Sequence, residues 1–279
     1  MKTKIFILLL GVGFSLCSHQ VAITFDDLPI AYPGHLSPEV QVKYFNHILY
    51  VLDQHEIGVT GFVVGMNIYP YKWNLLNEFC SRGHVVGNHT YSHLNLNDTS
   101  CTAFIEDIFR CEEIVDSLPT WQRYFRYPYL HRGDTPEKKD SIYRFLYKAK
   151  YHIVPVSIYT DDWIYNRDYL RAMERGEDSL LDSIGSAYLD HIFQVSNYFD
   201  SLAYRYEHRQ IPHILLLHMN FINSLYLDTI INWYEQNNWE FIPVSRALQD
   251  SFYWKENTFI GGTGYYHLVP LLPGEASKR

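Results

Sequence analysis

The stretch Val21-Ala22-Ile23-Thr24-Phe25-Asp26-Asp27 decides how this 279-residue chain is read, because a nearly apolar run ends abruptly in two carboxylates. Such a run is too short for a helix and does not alternate, so it predicts a parallel strand buried on both faces. Outward from it, helical spacing covers Pro38 to His55, and Val59–Val64 forms a second strand. Pro70–Arg82 reads as a helix with Gly83 as its C-cap, followed by a brief strand at His84–Gly87. Asp98–Leu118 repeats apolar residues at Phe104, Ile108, Cys111, Val115 and Leu118, again at helical spacing. Tyr124–Arg126, His152–Val156, His213–Leu217 and Glu240–Ile242 add four strands. Seven strands alternating with helices predict parallel pairing with right-handed crossovers, and in particular an incomplete βα barrel, a single α/β domain. No glycine-rich phosphate loop follows any strand, which argues against nucleotide binding. The segment 164–209, helical from Asp178 to Arg209, reads as an insertion before the sixth strand, placed to form part of a substrate wall.

Lys2 and Lys4 precede an apolar run from Ile5 to Phe14, with small residues around Ser15 and Ser18. This predicts a signal peptide over residues 1–18 and hence an exported protein, periplasmic or secreted. A lipoprotein anchor at Cys17 is the lesser reading, since Leu16 before it is bulkier than such sites favour. No later segment is apolar enough to span a bilayer, so no transmembrane segment is expected after cleavage. The domain then covers 19–250, with a C-terminal tail over 251–279. Cys101 and Cys111 share one predicted helix, about 15 Å apart, beyond disulfide reach. A net charge of −8 leaves no basic stripe for phosphates, which excludes nucleic acid as the main partner. Aromatics at 16% suit stacking on sugar rings.

Catalytic residues of a βα barrel cluster at the carboxyl ends of its strands, and five motifs fall there. Asp26 and Asp27 end the first strand; adjacent carboxylates repel unless a cation or a proton is shared, which suggests one metal ligand and one general base. His89 and His93 follow the third strand at i and i+4, expected on one face of a helical turn and able to grip one ion with Asp27. Arg126 ends the fourth strand and is placed to orient an Asp, while Pro128 would present the Tyr129 amide as an oxyanion donor. Asp162 and Trp163 follow the fifth strand; the carboxylate would tune a histidine and the indole would line a sugar subsite. Leu216 and His218 end the sixth, the histidine placed as a general acid. Each motif alone is commonly a turn, a cap or a core residue; together, at successive strand ends, they point to one site.

The order TFDD, HTYSH, RYPY, DDW and LLLH resembles the NodB-like polysaccharide deacetylases, carbohydrate esterase family 4, over about Val21 to Leu248. The resemblance implies the seven-stranded distorted barrel, (β/α)7. It implies Asp26 as catalytic base, Asp27, His89 and His93 as metal ligands, and Arg126 as the holder of the base. It also implies the Tyr129 amide at the oxyanion site and His218 as acid. The substrate would be an acetylated glycan, losing N- or O-acetyl groups, and the ion Zn²⁺, or Co²⁺ or Ni²⁺. Two other readings fit the residues: a small cyclic-amide hydrolase of the same fold, and a non-catalytic carbohydrate-binding protein. Departures lie at Leu28-Pro29, where the family has glycine, and at Tyr159, three residues before Asp162, where it has a further aspartate. Asp161 stands beside Asp162 as an uncertain partner for His218. Thr90 and Ser92 are expected to steady the histidine loop through their hydroxyls.

Overall fold

The structure is a computed structural model in which residues 19–68, 70–255, 260 and 268 are described. The signal segment expected at 1–18 lies outside the described residues, as does the tail from 256 onward apart from Ile260 and Leu268. The chain runs β1 (His19–Leu28), α1 (Pro38–Gln54), β2 (Thr60–Val63), α2 (Pro70–Ser81), β3 (Val85–Asn88), α3 (Cys101–Val115) and β4 (Trp121–Phe125). It continues through α4 (Pro136–Lys148), β5 (His152–Ile153), β6 (Ile158–Tyr159), α5 (Asp162–Arg175) and α6 (Asp178–Glu207). β7 (Pro212–His218), α7 (Phe221–Gln236), β8 (Trp239–Phe241) and α8 (Val244–Ala247) complete it. Helix starts follow from the local sequence. Ser37, Ser100, Thr135 and Asn220 each accept a hydrogen bond from the amide three residues on, and Pro38 and Pro136 open their helices where no N–H is needed.

All strand pairs are parallel, in the order β5-β4-β3-β2-β1-β7-β6, with β8 also on β1. β1 is the hub. Residues 21–28 are buried, β7 runs along one edge, and the other edge takes β8 at His19–Val21 and β2 from Thr24 onward. The distorted barrel is therefore present, with one change from the sequence reading. The fifth strand is broken into β5, paired only with β4, and β6, paired only with β7. The Val154 amide donates to Phe125 on one side and the Ser157 amide to Ile214 on the other. Pro155 between them has no N–H to give, which is why the strand hands over partners there.

α5 and α6 occupy the predicted insertion, but α6 does not wall the site. It packs on α5 and α7 as an outer layer, burying Tyr188, Ile192, Phe199 and Leu202. The described start of the tail is packed, with Phe252 buried and the Tyr253 hydroxyl donating to the Pro212 carbonyl. Cys80, Cys101 and Cys111 are free thiols. Among the described residues no helix is long and apolar enough to cross a membrane.

Gly87 shows how tightly β3 is held beneath the site. A Cβ there would meet the Phe62 ring at 2.8 Å and the Tyr124 carbonyl oxygen at 2.9 Å. Gly87→Ala is therefore expected to destabilise the fold by about 1–3 kcal/mol, read as a lower midpoint in denaturant unfolding; an unchanged midpoint would contradict this packing.

Candidate active site

Register sets the site. The β1–β7 ladder pairs Asp26 with His218, and the β2–β3–β4 ladder pairs Val63 with Asn88 and Asn88 with Phe125. His89 and Arg126 each follow one residue later, so all four leave their strands at one end of the barrel.

Arg126 is 1% exposed. Its Nη1 donates to both oxygens of Asp26 at 3.1 and 3.3 Å, Nη2 to Thr24 Oγ1 at 3.1 Å, and Nε to the Val154 carbonyl at 2.6 Å. Burial nevertheless pushes the Asp26 carboxyl up to about 6, against the pull of Arg126.

In a regular strand neighbouring side chains face opposite sides, so Asp26 and Asp27 should diverge. Asp27 instead has φ 60°, and the β1–β2 register shifts between Phe25 and Leu28. The left-handed turn brings the second carboxylate round to the mouth occupied by the first. Its Oδ1 lies 3.5 Å from His89 Nε2 and 3.3 Å from His93 Nε2. Burial pushes the Asp27 carboxyl up, but His93, His218 and His89 outweigh it and hold it below its ordinary value.

The two histidines converge by a different route from the expected helical turn. Residues 89–93 form bends, with Thr90 at φ 62° and His93 at φ 56°. Asn88 Oδ1 accepts the Thr90 amide, an Asx turn, and Asp107 on α3 accepts both the Ser92 amide and the Ser92 hydroxyl. Ser92 thus steadies the loop as expected, while the buried Thr90 hydroxyl has no hydrogen-bond partner. Asp107 was not singled out in the sequence, because it lies on a helix far from the motif; its burial on the apolar face of α3 was the available signal.

These residues fit a divalent cation. His89 Nδ1 donates to the Arg126 carbonyl at 2.8 Å, which leaves the lone pair of Nε2 facing Asp27. Burial, with His93 beside it, drives His89 down to about 3, and burial lowers His93 as well, which favours the uncharged ring that can ligate. Asp27 Oδ1 is buried and accepts no hydrogen bond. One carboxylate oxygen and two imidazole nitrogens, all within 4.8 Å of one another, turn together with no proton between His89 and Asp27.

Opposite stands His218. Its Nδ1 meets Asp162 Oδ1 at 2.6 Å, and its backbone amide, Asn220 and Asn223 all donate to Asp162 Oδ2. Burial alone would lower the imidazole pKa; Asp162, with Asp27 and Asp26, more than offsets this and holds it at about 9. The partner is therefore Asp162. Asp161 lies 3.9 Å from His191 instead.

A cavity of about 400 Å³ opens over these groups, lined by Asp26, His89, His93 and His218 and walled by Trp163, Leu216 and Tyr129 among others. Tyr129, at φ 56°, lays its ring 4.5 Å from that of His93. Trp163 Nε1 donates to the Tyr159 hydroxyl, so the tyrosine at the departure noted above braces the wall. The loop after Leu28-Pro29 contributes Tyr32, a residue the sequence did not flag. Its ring meets His218 edge-on at 5.5 Å, its hydroxyl interacts with Asp27, and its carbonyl is pinned by Asn166.

A buried carboxylate and an imidazole, set across one cavity beside three residues that could hold a cation, make an arrangement suited to acid–base hydrolysis on a parallel barrel. Residues 15–144 match the family model described as polysaccharide deacetylase. It is 31% identical over 145 residues to a peptidoglycan-N-acetylglucosamine deacetylase of Bacillus cereus, covering 52% of this chain and 46% of that protein. It is 28% identical to a chitin deacetylase of Arthroderma benhamiae, over 51% of this chain and 35% of that one. The chain thus spans under half the length of these two curated relatives. In fold it is similar to the Bc1960 peptidoglycan N-acetylglucosamine deacetylase, with a TM-score of 0.57 and 22% identity, over 84% of this chain and 90% of that one.

Two outcomes test the cluster. His89→Ala should abolish stoichiometric zinc in metal analysis of the purified protein. Asp107→Ala, which removes only the support of the loop, should weaken zinc about 10–100-fold in competition with a chromogenic chelator; full occupancy in the first variant would defeat the ligand assignment.

Proposed function

We propose that this protein is an exported hydrolase that removes N- or O-acetyl groups from a polysaccharide or oligosaccharide with the help of a divalent cation. The observation that carries the reading is the buried, unbonded Asp27 oxygen facing two imidazole nitrogens, with Asp26 and His218 across the same cavity. The names of the curated relatives, peptidoglycan and chitin deacetylases, support an acetylated glycan as substrate.

In this reading Asp27, His89 and His93 hold the ion, Zn²⁺ first and Co²⁺ or Ni²⁺ next. The cation would supply Lewis acidity to the acyl carbonyl and lower the pKa of a water beside it. Asp26 accepts the proton of the attacking water, held in place by Arg126, whose two contacts fix both carboxylate oxygens. The Tyr129 amide donates to the oxygen that gains charge. His218, oriented by Asp162, gives its proton to the departing nitrogen or oxygen. Trp163, Tyr129 and Leu216 offer aromatic and apolar surface to the sugar. A binding-only protein has no use for the Asp26–Arg126 and His218–Asp162 pairs, since their burial adds nothing to sugar affinity. The expected signal peptide at 1–18 would place the reaction outside the cytoplasm.

Acetate release from acetylated xylan, glycol chitin and peptidoglycan should be measurable and should be lost with chelator, then restored by added zinc. Hydrolysis of small cyclic amides with no acetate release would favour that rival. Asp26→Asn should keep bound zinc while turnover falls at least about 10²-fold; retained turnover would remove Asp26 as the base.

A further inference from the structure

A second and larger cavity, of about 630 Å³, lies outside the barrel wall between α4 and the segment 248–255, floored by the start of β5. Its sides carry Tyr143 and Tyr147 from α4 and Trp254 from the C-terminal segment, with Arg132 and Lys139 toward the catalytic face. Tyr147 is 76% exposed and Trp254 71% exposed, an unusual outlay of aromatic surface for side chains that support no core. Arg132 holds its guanidinium 5.6 Å from the Tyr127 ring and hydrogen-bonds the Tyr127 hydroxyl, while its Nε lacks a partner. Open aromatic faces with a guanidinium at their edge suit a ligand with flat apolar faces and a rim of oxygen acceptors, which is the chemistry of a pyranose chain.

Position supports the same occupant. His131 lines the catalytic cavity, and Arg132, the next residue, lines this one. A single extended chain reaching past that pair would touch both.

We propose that this groove is a remote binding site for a polysaccharide chain, engaging units distant from the acetyl group being removed. The proposal rests on the glycan reading of the catalytic face and extends it: the substrate is a polymer, held at two places.

The test uses the whole protein, the double variant Tyr147→Ala with Trp254→Ala, and Tyr147→Ala alone. Neither ring is buried, so folding should survive, and circular dichroism checks it. Affinity electrophoresis in gels containing acetylated xylan or glycol chitin should retard the wild type. The double variant should be retained about tenfold more weakly, and the single variant should fall between. On polymer KM should rise about tenfold with kcat unchanged, while turnover of an acetylated tetrasaccharide stays at the wild-type level. Equal retention of wild type and double variant, or no retention of the wild type by either polymer, would overturn the groove. Retention that depends on the two rings without any acetate release would leave the groove standing and overturn the hydrolase reading instead.

Discussion

The constraint on which everything else depends is a guanidinium inside the barrel. Arg126 is buried where only an anion and several acceptors can compensate for its lost hydration. Asp26, Thr24 and the Val154 carbonyl provide them, and Thr24 in turn donates to Leu215, so one cation ties the first, fourth, fifth and sixth strands of the barrel together. The guanidinium also lies 4.6 Å from the Phe62 ring of β2. Removing the charge would leave Asp26 buried and unpaired, a defect of about 3–5 kcal/mol in other proteins. The same bond divides the work of the two aspartates. Asp26 is occupied by the arginine, and Asp27 is left for the histidines.

The His218 side is built by a second closed arrangement. Asp162 receives four hydrogen bonds, two from His218 and one each from Asn220 and Asn223. Asn220 also caps α7, so the start of a helix and the orientation of the imidazole are fixed by one side chain. The two sides of the cavity are thus held by different parts of the fold, with the Asp26 carboxyl raised to about 6 and the His218 imidazole to about 9. Such a separation lets one site offer both a proton acceptor and a proton donor.

Much of this was legible in the sequence because it depends on strand ends. An apolar run that stops at a charged or imidazole residue marks a strand meeting solvent, and five such stops located Asp26, His89, Arg126, Asp162 and His218. What depends on backbone sign was not legible. Nothing in the letters says that Asp27, Thr90 and His93 take left-handed φ, so the histidine pair was read as a helical turn, the conformation that i and i+4 spacing ordinarily signals. Asn88 just before the first histidine was an available sign of an Asx turn. Tyr32 and Asp107 were missed because each reaches the site from outside the motifs. The break at Pro155 was hidden inside an apolar run that looked continuous, although a proline within a strand is itself a warning.

Tyr32, His93, Tyr129 and Leu130 carry positive φ without being glycine and line the cavity, and Asp27 and Thr90, also at positive φ, flank its histidines in sequence or space. Each such residue costs of the order of 1 kcal/mol or more, and surrounding contacts must hold it there. Much of this strain lies at the candidate site, while the hub strand beneath is buried from Val21 to Leu28. Warming the protein should therefore relax the rim before the barrel melts, so that heat erases chemistry first and shape afterwards.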